Sequence, residues 1–147
     1  MTKLPFGFDT PEDSPGFLLW QTWHRQIKKV LEEYSISHAQ FVIMATLMWF
    51  GSRRYDMTQV LIVNQTKPDK MTVSKSLKKL VGMSLVERHE NQDDTRAKSV
   101  KLTKSGLALT RKLVPIVENV DSNFFGKLSK KQEKDLIVIL RKLTGNT

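Results

Sequence analysis

A mainly helical chain with one β hairpin set into its second half is the fold class this sequence predicts, and three observations carry that reading. Apolar residues recur at three- and four-residue spacing in several separate runs, the period of a helix with one buried face. Residues able to cap helices stand where those runs begin. Two strand-like runs, Leu85 to Glu90 and Lys98 to Leu102, flank a polar loop holding Asn91, Gln92, Asp93 and Asp94, the composition of a long hairpin connection rather than a tight two-residue turn.

Taken in order, residues 1–16 contain Pro5, Gly7, Pro11, Pro15 and Gly16, show no periodicity and read as an extended arm. A helix is expected from near Phe17, with Phe17, Trp20, Trp23 or His24, Ile27, Val30 or Leu31 and Tyr34 on its buried face. The next helix, Phe41 to Phe50, is apolar but for Thr46; Ser37 and Gln40 form a capping-box pair at its start and Gly51 is placed for a left-handed stop. Arg53 to Met57 reads as an edge strand or turn, and Thr58 caps a helix running to Thr66 that Pro68 prevents from continuing.

Asp69 is placed to cap the following helix, Lys70 to Met83, with Val73, Leu77, Leu80 and Val81 facing inward and Thr72, Lys75, Lys78 and Lys79 outward. After the hairpin, Thr103 caps a long helix that Pro115 should kink, and Ser129 with Gln132 opens a last helix to about Leu143. This order is that of a winged helix-turn-helix (54–103) flanked by N- and C-terminal helices (17–35 and 104–147). A winged core is too small to cover the apolar faces of those flanking helices, so they are expected to form a dimerisation region within a single domain, 17–147.

The charge is uneven. Residues 67–104 hold ten Lys or Arg against five acids, residues 1–66 balance six against six, and 105–147 carry eight against four, within a net charge of +9. The hairpin and the helix before it are therefore the expected contact with a polyanion, since each phosphate neutralised by Lys or Arg releases condensed counterions. A helix beside a basic hairpin is a way to grip DNA. With no cysteine, disulfides and thiolate metal sites are excluded. The run from Phe41 to Phe50 is far short of the roughly 18 residues a membrane span needs, and nothing at the N-terminus reads as a signal peptide; a cytoplasmic protein off the membrane is expected.

Thr72-Val73-Ser74-Lys75, followed by Leu80, Leu85-Val86-Glu87-Arg88, Asp94-Thr95-Arg96, Leu102-Thr103 and Gly106, resembles the MarR family of transcriptional regulators, with element order agreeing from about Phe17 to Leu143. The resemblance implies a homodimer on a pseudo-palindromic operator in double-stranded DNA, usually as a repressor, with recognition helix 70–83 in the major groove and wing 85–102 in the minor groove. The expected DNA-binding residues are Lys70, Met71, Thr72, Ser74, Lys75, Lys78, Asp94, Arg96 and Lys98, with Asp94 holding the Arg96 guanidinium at the wing tip. Three positions depart from the family pattern. Lys75 stands where many members have arginine, Ser84 where a glycine usually ends the recognition helix, and the Lys67-Pro68 turn lacks glycine.

The resemblance also places Trp20, Trp23, His24, Phe41 and Trp49 on helices lining an effector cleft for a small aromatic or anionic molecule; tryptophans at helical spacing are otherwise core or interface residues. His24, His38 and His89 are too scattered for a metal motif, and no cofactor is expected. There is no glycine-rich phosphate loop and no nucleophile elbow, so an enzyme is not expected. The competing classes are a winged-helix protein-interaction module, a non-specific nucleic-acid binder and a basic peripheral membrane protein. The last is disfavoured because helix 70–83 needs its apolar face for its own core.

Overall fold

The computed structural model describes residues 4–53, 56–90 and 98–145. The elements are a 3-10 turn (Pro11–Asp13), α1 (Pro15–Leu19), a π segment (Trp20–His24), α2 (Arg25–Glu32), α3 (His38–Gly51), β1 (Met57–Thr58), α4 (Gln59–Thr66), α5 (Lys70–Gly82), β2 (Val86–Glu90), β3 (Lys98–Leu102), α6 (Lys104–Phe125) and α7 (Lys130–Leu143). The chain divides into two compact units, Lys28–Ile116 and Met1–Ile27 with Val117–Thr147.

The unit 28–116 is a winged helix. Its antiparallel sheet runs β1-β3-β2, with Met57 opposite Val100 and Val86 opposite Leu102. Alternation along β3 decides which side is buried: Val100 is 2% exposed and Lys101 faces solvent. Beneath the sheet Ile43, Met44, Ile62, Val73, Leu77 and Leu80 are fully enclosed, so α3, α4 and α5 share one core. The expected caps are present: Ser37 and Gln40 form a capping box, Thr58 Oγ1 accepts the Leu61 amide, and Asp69 accepts the Thr72 amide. Each satisfies an amide with no partner inside its helix.

Three helices here end on non-glycine residues in the left-handed region: Ser35 (φ 57°), Lys67 (φ 66°) and Ser84 (φ 58°). At Ser84 the closure is a Schellman motif, with the Leu85 amide on the Leu80 carbonyl and the Ser84 amide on the Val81 carbonyl, both at 3.0 Å. Buried Leu80 and Leu85 supply the apolar contact that accompanies it. Gly82 does not take over the turn that Ser84 makes. Gly51 likewise is not the left-handed stop the sequence suggested: α3 ends on a right-handed cap, Ser52 (φ −65°), and the Ser52 hydroxyl and the Arg53 guanidinium both donate to the Trp49 carbonyl.

Gly106 is required by space. A Cβ there would lie 1.9 Å from the Leu85 carbonyl oxygen. Around it Thr103 donates its amide to the Leu85 carbonyl at 3.1 Å and its hydroxyl to the Ser84 carbonyl at 2.7 Å. The same Thr103 oxygen accepts the Gly106 amide at 3.0 Å, capping α6. One threonine thus joins the end of α5, the start of β2, the end of β3 and the first turn of α6.

The other unit begins earlier than periodicity alone indicated. Ser14 accepts the Phe17 amide and Pro15 occupies the first helical position, so the helix starts at Pro15 rather than Phe17, and the expected arm 1–16 includes the turn Pro11–Asp13. The π segment then inserts a wider turn. It breaks the 3.6-residue register, and Trp20, expected on the buried face, is 62% exposed. Trp23 donates its indole N–H to Asp121 of α6 at 2.6 Å and its ring lies 6.4 Å from that of Phe125. The helix α6 is continuous through Pro115. On α7, opened by the Ser129–Gln132 capping box, Val138, Ile139 and Leu143 are 64%, 53% and 77% exposed.

Two substitutions test this account by urea unfolding. Gly106→Ala drives a methyl into backbone and destabilises by about 3 kcal/mol or more. Ser84→Gly relieves a left-handed cost of about 1–2 kcal/mol against an added unfolded-state entropy cost of about 0.5–1 kcal/mol. A net gain of about 1 kcal/mol is expected; a loss would mean that the serine side chain is needed at the turn.

Candidate nucleic-acid interface

The interface is built on α5. At about 3.6 residues per turn, the buried Val73, Ser76, Leu77 and Leu80 turn one side of this helix into the core, and Lys70, Met71, Ser74, Lys75, Lys78 and Lys79 are exposed. Val81, expected to face inward, is 40% exposed, and Ser76 takes an inward place instead. One residue beyond Leu80 on a helix of about 3.6 residues per turn, Val81 falls at the edge of the buried face and its side chain reaches the rim of the core.

Asp69 and Thr72 form a closed pair at the start of α5. The Asp69 carboxylate accepts the Thr72 amide at 2.8 Å and the Thr72 hydroxyl at 2.7 Å. These bonds, the hydroxyl's first, hold the Asp69 carboxyl below its ordinary range. Thr72 is half-buried and its hydroxyl hydrogen is committed, so its methyl group and remaining lone pair are what it can offer a ligand. The lysines differ. Among the described residues, none of Lys70, Lys75, Lys78 and Lys79 is ion-paired with a carboxylate.

Of the expected wing residues, Asp94 and Arg96 lie outside the described residues. Lys98 opens β3 opposite Glu90, and its side chain is also outside them. Lys101, exposed on β3, stands 3.9 Å from Asp56. An exposed pair at that separation is worth about 0–1 kcal/mol and yields readily to a phosphate.

The aromatic residues expected around an effector fall in both units. Trp20, Trp23 and His24 belong to the unit with α7; Phe41 is buried and Trp49 is exposed beneath the Arg53 guanidinium, 3.6 Å from its ring centre, in the winged unit. The winged unit holds a cavity of about 530 Å³ with Leu47, Met48, Met57, Leu107, Lys101 and Arg111 in its wall, and none of those five aromatic and histidine residues lines it. Sequence periodicity could not find it, because its lining comes from the ends of four separate elements.

A sequence model of the ArnR1-like, winged-helix domain matches residues 32–120. The chain is 33% identical over 128 residues, 85% of its length and 87% of the relative's, to the HTH-type transcriptional regulator YdcH of Bacillus subtilis (strain 168). Among solved structures it is similar to BpsR of Bordetella bronchiseptica, described for the regulation of its DNA binding by 6-hydroxynicotinic acid (TM-score 0.79, 25% identity, 94% of this chain and 98% of that one). It is also similar in fold to a MarR variant from E. coli complexed with operator DNA (TM-score 0.74, 24% identity, 86% and 88%). The chain belongs to the MarR family of winged-helix transcriptional regulators.

The Asp69 cap gives a pH test. A carboxyl held below its unfolded value contributes fully above that value, about 3.9, and the contribution is lost as pH falls through the lower folded value. Asp69→Asn is therefore expected to destabilise at neutral pH, with the gap to wild type closing below about pH 4. A gap that persists unchanged in urea titrations down to pH 3 would contradict the assignment.

Proposed function

We propose that the protein is a non-enzymatic cytoplasmic repressor that binds an inverted-repeat operator in double-stranded DNA as a homodimer. The observation that carries this reading is the face of α5: four lysines that pair with no carboxylate among the described residues and two small or apolar side chains, Ser74 and Met71, presented on a helix fixed at both ends. Base edges are distinguishable in the major groove, which admits such a helix. In this reading Lys70, Lys75, Lys78 and Lys101 supply phosphate affinity, while Thr72, Ser74 and Arg96 supply selectivity. Lys75, a single ammonium where a guanidinium would grip guanine with two bonds, contributes affinity more than base choice. Arg96 and Asp94 act at the wing tip and Lys98 at the root of its second strand, with the arginine drawn to the negative potential of a narrow minor groove.

Self-association rests on α7, whose Ile137, Val138, Ile139, Leu140 and Leu143 leave a large apolar surface that a second copy would cover. The N-terminal helices 17–35 and helices 104–147 form the dimerisation region in this proposal. A small aromatic or anionic effector would fit the winged unit's cavity, whose volume falls in the usual range for such ligands and whose wall carries Lys101 and Arg111.

Selection of binding sites from random duplex DNA tests the proposal. Wild type is expected to enrich an inverted repeat with half-sites about one helical turn apart, roughly 34 Å, and Arg96→Ala to enrich it less sharply. Recovery of no sequence would overturn it. On the selected duplex, Lys78→Ala should lower the slope of log affinity against log salt by about one per subunit and weaken all sequences alike.

A further inference from the structure

The outward meridian of α5 is not uniformly polar. Opposite the buried Val73, Ser76, Leu77 and Leu80, at about 3.6 residues per turn, lie Met71, Lys75 and Lys78. Met71 is 65% exposed, so the core makes little use of it. It stands in the first turn, the part of a recognition helix that meets base edges. The polar side chain beside it is already engaged, since the Thr72 hydroxyl donates to Asp69. Lys70, on its other side, lines a groove of about 350 Å³ with Gln59, Val60, Val63 and Asn64, and Val60 is 66% exposed. Apolar surface is thus offered to solvent at the tip of a basic helix, where a purely electrostatic contact would have no use for it.

Resting on the DNA-binding reading above, we propose that Met71 is a specificity-determining residue that reads a thymine through its C5-methyl group in the major groove. Among the four bases only thymine presents a methyl there. A thioether chain with three rotatable bonds can follow a small apolar knob that a lysine or serine would leave unsatisfied. The contact carries no charge, so it adds selectivity without adding to the salt dependence that the lysines supply.

The test uses the duplex enriched by wild-type protein, with each symmetric pair of thymines replaced in turn by uracil, which removes only the methyl groups. Wild type is expected to lose about fourfold per half-site at one pair, the equivalent of about 0.8 kcal/mol per methyl, and so roughly 15-fold for both. Met71→Ala, at an exposed helical position where alanine is well tolerated, should bind the thymine and uracil duplexes equally and keep the wild-type salt slope. Met71→Leu should retain part of the discrimination. Indifference of the wild type to every methyl, or undiminished discrimination by Met71→Ala, would overturn the assignment while leaving the regulator reading intact. Failure to enrich any sequence would overturn both.

Discussion

The approach of the α6 backbone to the Leu85 carbonyl is the constraint on which the winged unit depends. The contact is closed by Thr103, whose amide and hydroxyl serve Leu85 and Ser84 while its oxygen caps Gly106. The hydrogen bonds contribute on the order of 1 kcal/mol each, less than the cost of forcing a side chain into the 1.9 Å left beside Gly106. Shape therefore dominates here over bond strength. Because α5 leaves its last turn at this point and β3 returns to it, the aim of the recognition helix and the root of the wing are set by the same few atoms.

That rigidity gives the exposed lysines their value. A lysine in solvent, without a carboxylate partner, contributes little to the fold, so its contribution appears when it neutralises a phosphate and displaces the counterions condensed there. The Asp69–Thr72 pair works in the opposite sense. It places one negative charge at the start of α5, where the helix dipole favours it, and it takes a hydroxyl out of play. In the proposed reading affinity and selectivity are separated along one helix, with lysines around its exposed face and Met71, Thr72 and Ser74 near its beginning.

Much of the winged unit was legible in the sequence because its signals are local. The Ser37–Gln40 box, Thr58, Asp69 and the two wing strands each rest on a few neighbouring residues, and the structure has them where spacing put them. What was not legible depended on competition between elements. Glycine was the expected stop at Gly51, yet Ser52 beyond it stays right-handed, and the non-glycine residues in the left-handed region among those described are Ser35, Lys67 and Ser84. Trp20, which strict periodicity assigned to the buried face, opens the π segment and is exposed. The cavity wall, drawn from α3, β1, β3 and α6, has no linear signature at all. Of the candidate DNA-contact residues, helix spacing placed Thr72, Lys75 and Lys78 outward; both lysines are exposed, whereas Thr72 is half-buried and its engagement by Asp69 shows only in the folded chain.

The central claim is that the exposed face of α5 lies in the major groove of DNA, twice, with two-fold symmetry. Dimethyl sulfate footprinting on a bound duplex addresses it directly, because the reagent methylates guanine N7 in the major groove and adenine N3 in the minor. The account predicts two blocks of N7 protection about 10 base pairs apart, flanked by N3 protection from the wing. Protection confined to the minor groove, or a single unpaired block, would contradict it.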